Sequence, residues 1–113
     1  MMKKVYNKLI RDRIPEIIFA DNCQPKTRVL KKSEMFLELK KKVLEEAKEL
    51  AEVEARADVV NELADLLELI DALAENKSID MKSLKAEQKT KRQKRGGFKK
   101  RLFLEHVIEN KKK

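Results

Sequence analysis

The stretch Ser33–Glu75, SEMFLELKKKVLEEAKELAEVEARADVVNELADLLELIDALAE, decides how this chain folds. At about 100° per residue, the step of a 3.6-residue turn, it resolves into two amphipathic helices. Phe36, Val43, Leu44, Ala47, Leu50 and Ala51 make an apolar stripe on the first, with Glu46 at its edge and Glu49 about 60° beyond. Val59, Leu63, Leu66, Leu67, Ile70 and Leu73 make the stripe on the second, with Glu62 at its edge and Asp65 about 60° beyond. The two helices therefore carry the same relation of acid to core. If the stripes pack as an antiparallel hairpin, Glu46, Glu49, Glu62 and Asp65 meet at one seam, with Asp58 one turn before Glu62 as an outer group.

Four unpaired carboxylates in one place repel each other by several kcal/mol at low dielectric, so a purely structural seam would tend to alternate signs. The expected remedy is a cation. Only carboxylate oxygen is on offer, without a cluster of His or Cys, and that donor set suits Mg²⁺ or Mn²⁺ better than zinc or copper. Glu38, Glu52, Glu54, Glu68 and Glu75 read instead as solvated acids.

Working outward, Pro15 fits the first turn of a short helix through Glu16, Ile17, Ile18 and Phe19, because its fixed φ suits that position. Val5 to Ile10 is either extended or a turn of helix, and Gln24 with Pro25 marks a break. Ser33 is the expected cap of a helix over 34–54, and a third helix is expected over 57–75. Ser78 or Asp80 starts a fourth, with Met81, Leu84 and Gln88 at helical spacing, and Gly96 with Gly97 stops it. Phe98 to Ile108 is a short closing element of undetermined type. The fold class is all-α: a small bundle built on the central hairpin and completed by oligomerisation, since Met35, Leu39, Val60 and Leu69 fall outside one narrow stripe and call for a second contact surface. A homodimer or a dimer of dimers is expected.

The 113 residues suit one domain. Charge is strongly segregated within the net +8: residues 1–32 hold nine Lys/Arg against three Asp/Glu, residues 33–75 five against thirteen, and residues 76–113 fourteen against four. An acidic helical core is thus flanked by basic ends that can attract a polyanion. Lys111, Lys112 and Lys113 read as a frayed tail. The lone Cys23 provides neither a disulfide framework nor zinc spacing and is expected half-buried; the lone His106, among Leu104, Val107 and Ile108, is expected to pack. No apolar run approaches the roughly 20 residues of a membrane span, and the first residues build no signal-peptide core. A soluble, cytoplasmic protein is expected.

The order EExxE (Glu45, Glu46, Glu49), twelve residues, then ExxD (Glu62, Asp65) resembles the MazG-like branch of the all-α nucleoside triphosphate pyrophosphohydrolases, which includes phosphoribosyl-ATP pyrophosphohydrolases. NKLIRDRIPEII (Asn7 to Ile18) and RGGFKKRLFL (Arg95 to Leu104) resemble a house-cleaning subgroup that removes nucleotides outside the standard set. The likeness implies hydrolysis between the α and β phosphates of a nucleoside triphosphate, giving a monophosphate and pyrophosphate with Mg²⁺. It implies metal binding by Glu46, Glu49, Glu62 and Asp65, and a catalytic role for Glu46 and for Glu45, the latter as outer ligand or water-orienting base. Phosphate ligands are expected among Lys8, Arg11, Arg13, Arg95, Lys99 and Arg101, Arg offering a planar fork of donors. Arg11 and Asp12 are alternatively a structural pair. Tyr6 and Phe98 are the candidates for stacking on a base.

A second reading makes the chain a non-catalytic helical module that binds nucleic acid through Lys89, Lys91, Arg92, Lys94, Arg95, Lys99, Lys100 and Arg101. It accounts for the basic end and leaves the acidic seam unexplained. A coiled-coil partner ranks last, because the apolar spacing is not sustained over enough heptads.

Overall fold

The computed structural model describes residues 2–110. The reading of the last three lysines as a frayed tail lies outside the described residues. Four helices follow in order: α1 (Ile14–Ala20), α2 (Lys32–Glu52), α3 (Arg56–Asn76) and α4 (Met81–Arg95), with no strand among the described residues. The chain forms two units, Met1–Asp80 with the first three helices and Met81–Lys113 with the fourth.

Pro15 stands in the first turn of α1, where its missing N–H costs nothing. The start of α2 differs from expectation. Ser33 lies inside the helix, and Lys31 is the capping residue; its backbone N–H donates to Glu34 Oε1 at 3.1 Å. Arg28 reaches the other oxygen of Glu34 at 3.2 Å. The Arg28 hydrogen bond first, then the Lys31 N–H, hold the Glu34 carboxyl below its ordinary range. Gly96 directly follows α4 with φ of +83°, a conformation that disfavours a side chain, and its N–H closes on the Arg92 carbonyl at 2.8 Å. The glycine therefore acts as the helix stop.

α2 and α3 pack against each other across a connection of three residues, 53–55. Asn76 Nδ2 donates to the Lys32 carbonyl at 3.2 Å, so the end of α3 sits at the start of α2. The contact is centred on Leu39 and Ala74, 2% and 4% exposed, with Met35, Val43, Leu50, Val59, Leu66, Leu69 and Leu73 half-buried around them.

This arrangement corrects the expected stripes. Leu44 is 73% exposed and Ala47 and Ala51 are exposed with it, while Leu39, Met35 and Leu69, assigned beforehand to a second surface, lie in the contact. On α3 the row Val60, Leu63, Leu67 and Ile70 is exposed, at spacings of three and four. Both helices carry more apolar surface than one contact can cover, and α2 is rotated by about one residue from the expected setting, which takes Glu46 from the edge of the packed face into it.

Phe36 is half-buried between two ammonium groups, Lys40 Nζ at 4.3 Å and Lys77 Nζ at 3.9 Å from the ring centroid. Phe98 to Ile108 forms neither helix nor strand and is exposed throughout, Phe98 at 97%. His106 is exposed with it, contrary to the packing role expected, and so is Cys23. No described helix is long and apolar enough to cross a membrane.

Candidate metal centre

Glu46 and Glu49 lie one turn apart on α2, and Glu62 lies near the start of α3. Helix packing brings one carboxylate oxygen of each within 4.8 Å of the other two. Glu46 and Glu62 are half-buried and Glu49 is exposed, so the cluster opens to solvent on the Glu49 side. Two oxygens, Glu46 Oε2 and Glu62 Oε2, are removed from water and have no hydrogen-bond partner. Asn61 Nδ2 donates weakly to the other oxygen of Glu62, at 3.4 Å.

A buried carboxylate oxygen without a donor is costly, and only a proton or a cation can relieve it here. Glu46 shows the strain. Its pKa is raised from 4.5 to about 7, first by burial, then by the hydrogen bonds it can make as an acid to Glu62 and Glu49, then by the negative charges of Glu49 and Asp65. Below about pH 7 Glu46 therefore carries a proton, which a divalent ion would displace.

The donor set fits such an ion. Bonds of about 2.1 Å place the oxygens of an octahedral Mg²⁺ about 3 to 4 Å apart. The three oxygens, all within 4.8 Å of one another, would close to that spacing by a movement of up to about 2 Å, which a side-chain rotamer change at the exposed Glu49 can supply.

Asp65 is near enough for its charge to act on Glu46, yet its carboxylate is engaged elsewhere. Arg11 Nη2 donates to Asp65 Oδ1 at 2.7 Å, an ion pair between groups 54 residues apart. The pair with Asp12 that the sequence offered for Arg11 is replaced by one with Asp65, so the guanidinium lies on a predicted metal ligand. The pair is solvent-accessible, at 59% for Arg11 and 31% for Asp65, and an ion pair of that exposure contributes about 0–1 kcal/mol.

Glu45 is half-exposed and lies 3.6 Å from the ammonium of Lys42. Lys8 and Arg13 flank Arg11 in sequence and are exposed; Lys8 Nζ lies 5.6 Å from the ring of Tyr6, itself exposed. Asp58 is exposed in the first turn of α3. Arg95, Lys99 and Arg101 belong to the second unit and are exposed there. The structure thus assembles Glu46, Glu49 and Glu62, with Asp65 and Arg11 beside them. Sequence reading missed the Arg11–Asp65 pair, for which no spacing rule exists, and the Glu45–Lys42 pair, which the i, i+3 relation on a helix could have suggested.

Comparison with family models, with curated proteins and with solved structures gives no match.

Proposed function

We propose that the protein is a Mg²⁺-dependent nucleoside triphosphate pyrophosphohydrolase, cleaving a triphosphate to a monophosphate and pyrophosphate, with modified or damaged nucleotides as its substrates. The observation that carries this reading is the pair of partnerless buried oxygens on Glu46 and Glu62, beside Glu49 and Asp65.

Glu46, Glu49, Glu62 and Asp65 would hold the ion, Mn²⁺ serving in place of Mg²⁺. When bound, the ion neutralises charge on the phosphate oxygens and lowers the pKa of a coordinated water. The chain's own residues supply position and charge. The α2–α3 pair, read as an antiparallel hairpin, fixes the carboxylates on rigid elements. Glu45, drawn off Lys42, is placed to orient the attacking water, and Arg11, Lys8 and Arg13 bring positive charge to a substrate that the acids alone would repel. Tyr6 is the candidate for the base in this reading.

A homodimer or dimer of dimers belongs to the same proposal. The exposed row Val60, Leu63, Leu67 and Ile70, with Leu37 and Leu44 on α2, is more apolar surface than a small monomer ordinarily leaves in water. Cytoplasmic location follows from the nucleotide substrate.

A nucleic-acid-binding module is the second reading. It is favoured by α4, on which Lys85, Lys89 and Arg92 share one exposed face with Gln88 and Gln93. It provides no use for the carboxylates, and we rank it second.

A screen for pyrophosphate release across standard and modified nucleoside triphosphates, with and without Mg²⁺, separates the two. Release that requires Mg²⁺ supports the hydrolase. No release from any substrate, with salt-sensitive DNA or RNA binding, supports the module.

A further inference from the structure

Arg11 holds the one predicted metal ligand that the carboxylate cluster leaves outside. Its backbone is fixed: the Arg11 carbonyl accepts from the Ile14 N–H at 3.1 Å in the turn that starts α1. Leu9, Ile10, Ile14 and Ile18 are half-buried around this turn. The guanidinium is the reverse, a long side chain 59% exposed and held at its tip by one hydrogen bond to Asp65. An anchored backbone with a weakly held cationic tip suits exchange between two anionic partners.

Formal charge shows why exchange is needed. With Glu46 ionised, as metal binding requires, the four carboxylates carry four negative charges, and Arg11 offsets one of them. A divalent ion taking Asp65 offsets two and leaves the Arg11 fork without its acceptor. A nucleoside triphosphate arriving with that ion brings phosphate oxygens, to which a guanidinium can make two parallel hydrogen bonds in place of the single one it had.

We propose, resting on the hydrolase reading above, that Arg11 is an exchangeable counter-cation: it occupies Asp65 until a divalent ion takes that carboxylate, and is then passed to the triphosphate as a phosphate ligand. The exposure of the pair makes the first step easy, because a surface ion pair is a weak competitor for a carboxylate that a divalent ion can share with three others. No covalent change is involved. The consequence is an order of events in which the ion loads before Arg11 engages the substrate.

The test uses the full chain and Mn²⁺ as probe. Dissociation constants are measured without nucleotide, by the electron spin resonance of free Mn²⁺, for wild type, Arg11→Ala, Asp65→Asn and the double variant, with circular dichroism confirming equal helix content. Removing the competitor should tighten Mn²⁺ binding about two- to fivefold in Arg11→Ala. In the Asp65→Asn background, where Mn²⁺ is held more weakly, the Arg11 change should have no effect. The same Arg11→Ala protein should bind the Mn²⁺ complex of a non-hydrolysable triphosphate at least about tenfold more weakly than wild type.

Equal or weaker Mn²⁺ binding in Arg11→Ala, with wild type binding normally, would overturn the exchange and leave the metal site standing. Tighter Mn²⁺ binding with unchanged triphosphate affinity would overturn the transfer to phosphate. Absence of Mn²⁺ binding by wild type would remove the metal site and this proposal together. If Arg11→Ala loses helix content, Arg11→Lys, which keeps the charge without the fork, should retain near-wild-type Mn²⁺ affinity and still lose triphosphate affinity; equal affinity for both would overturn the proposal.

Discussion

Replacing Glu46 by Gln should stabilise the metal-free protein, with a pH dependence that identifies the cause. The Glu46 carboxyl titrates near 7 in the folded chain against 4.5 as its ordinary value. Between these values the folded state binds a proton that the unfolded state has released. Stability contributed by this group is therefore fully present below about pH 4.5, is lost as pH rises toward 7, and is constant above that. At about 1.4 kcal/mol for each pH unit between the two values, the ceiling is about 3 kcal/mol. Solvent on the Glu49 side reduces it to about 1–2 kcal/mol.

Glutamine is uncharged and can donate an amide hydrogen to Glu62 in place of the carboxyl proton, so the variant should not suffer the loss. Thermal melts in EDTA should show Glu46→Gln above wild type by about 5–10 °C at pH 8, with most of the gap gone at pH 5. A gap independent of pH, or a variant less stable than wild type at pH 8, would refute the account of the cluster.

Other outcomes follow from the same structure. Leu39→Ala, at the centre of the α2–α3 contact, should cost about 2–5 kcal/mol in urea unfolding, whereas Leu44→Ala, on the exposed side, should cost under about 1 kcal/mol. Leu67→Glu, at a position 60% exposed, should leave helix content intact and shift the protein to monomer in equilibrium sedimentation; a wild type already monomeric at micromolar concentration would remove the dimer. Glu62→Gln should abolish pyrophosphate release while keeping the α2–α3 pair folded, and wild-type turnover in that variant would refute its role as a ligand.

The helices were legible in the sequence because their limits are set by local chemistry. Pro15 begins α1, Gly96 ends α4, and the short break at residues 53–55 divides two long apolar-periodic runs. The setting of α2 and α3 against each other was not legible. Each helix carries two apolar rows, Met35, Leu39, Val43 and Leu50 against Leu37, Leu44, Ala47 and Ala51 on α2, and Val59, Leu66, Leu69 and Leu73 against Val60, Leu63, Leu67 and Ile70 on α3. Periodicity alone weighs such rows equally, and which one is covered depends on the partner helix.

Glu46 and Glu49 stay neighbours however α2 is turned, and the rotation that carries Glu46 into the packed face keeps them against Glu62 on α3. Asp65 did not join them as simply as its spacing suggested. Its partner Arg11 lies 54 residues away, and an ion pair between distant segments leaves no periodic trace.

The central claim is that these carboxylates form a cation site. Its most direct test is a Mn²⁺ titration of wild type beside Glu46→Gln and Glu62→Gln, in the absence of nucleotide. The account predicts saturable binding by wild type, competed by Mg²⁺ and lost or greatly weakened in both variants. Equal binding by all three proteins, or none by wild type, would contradict it.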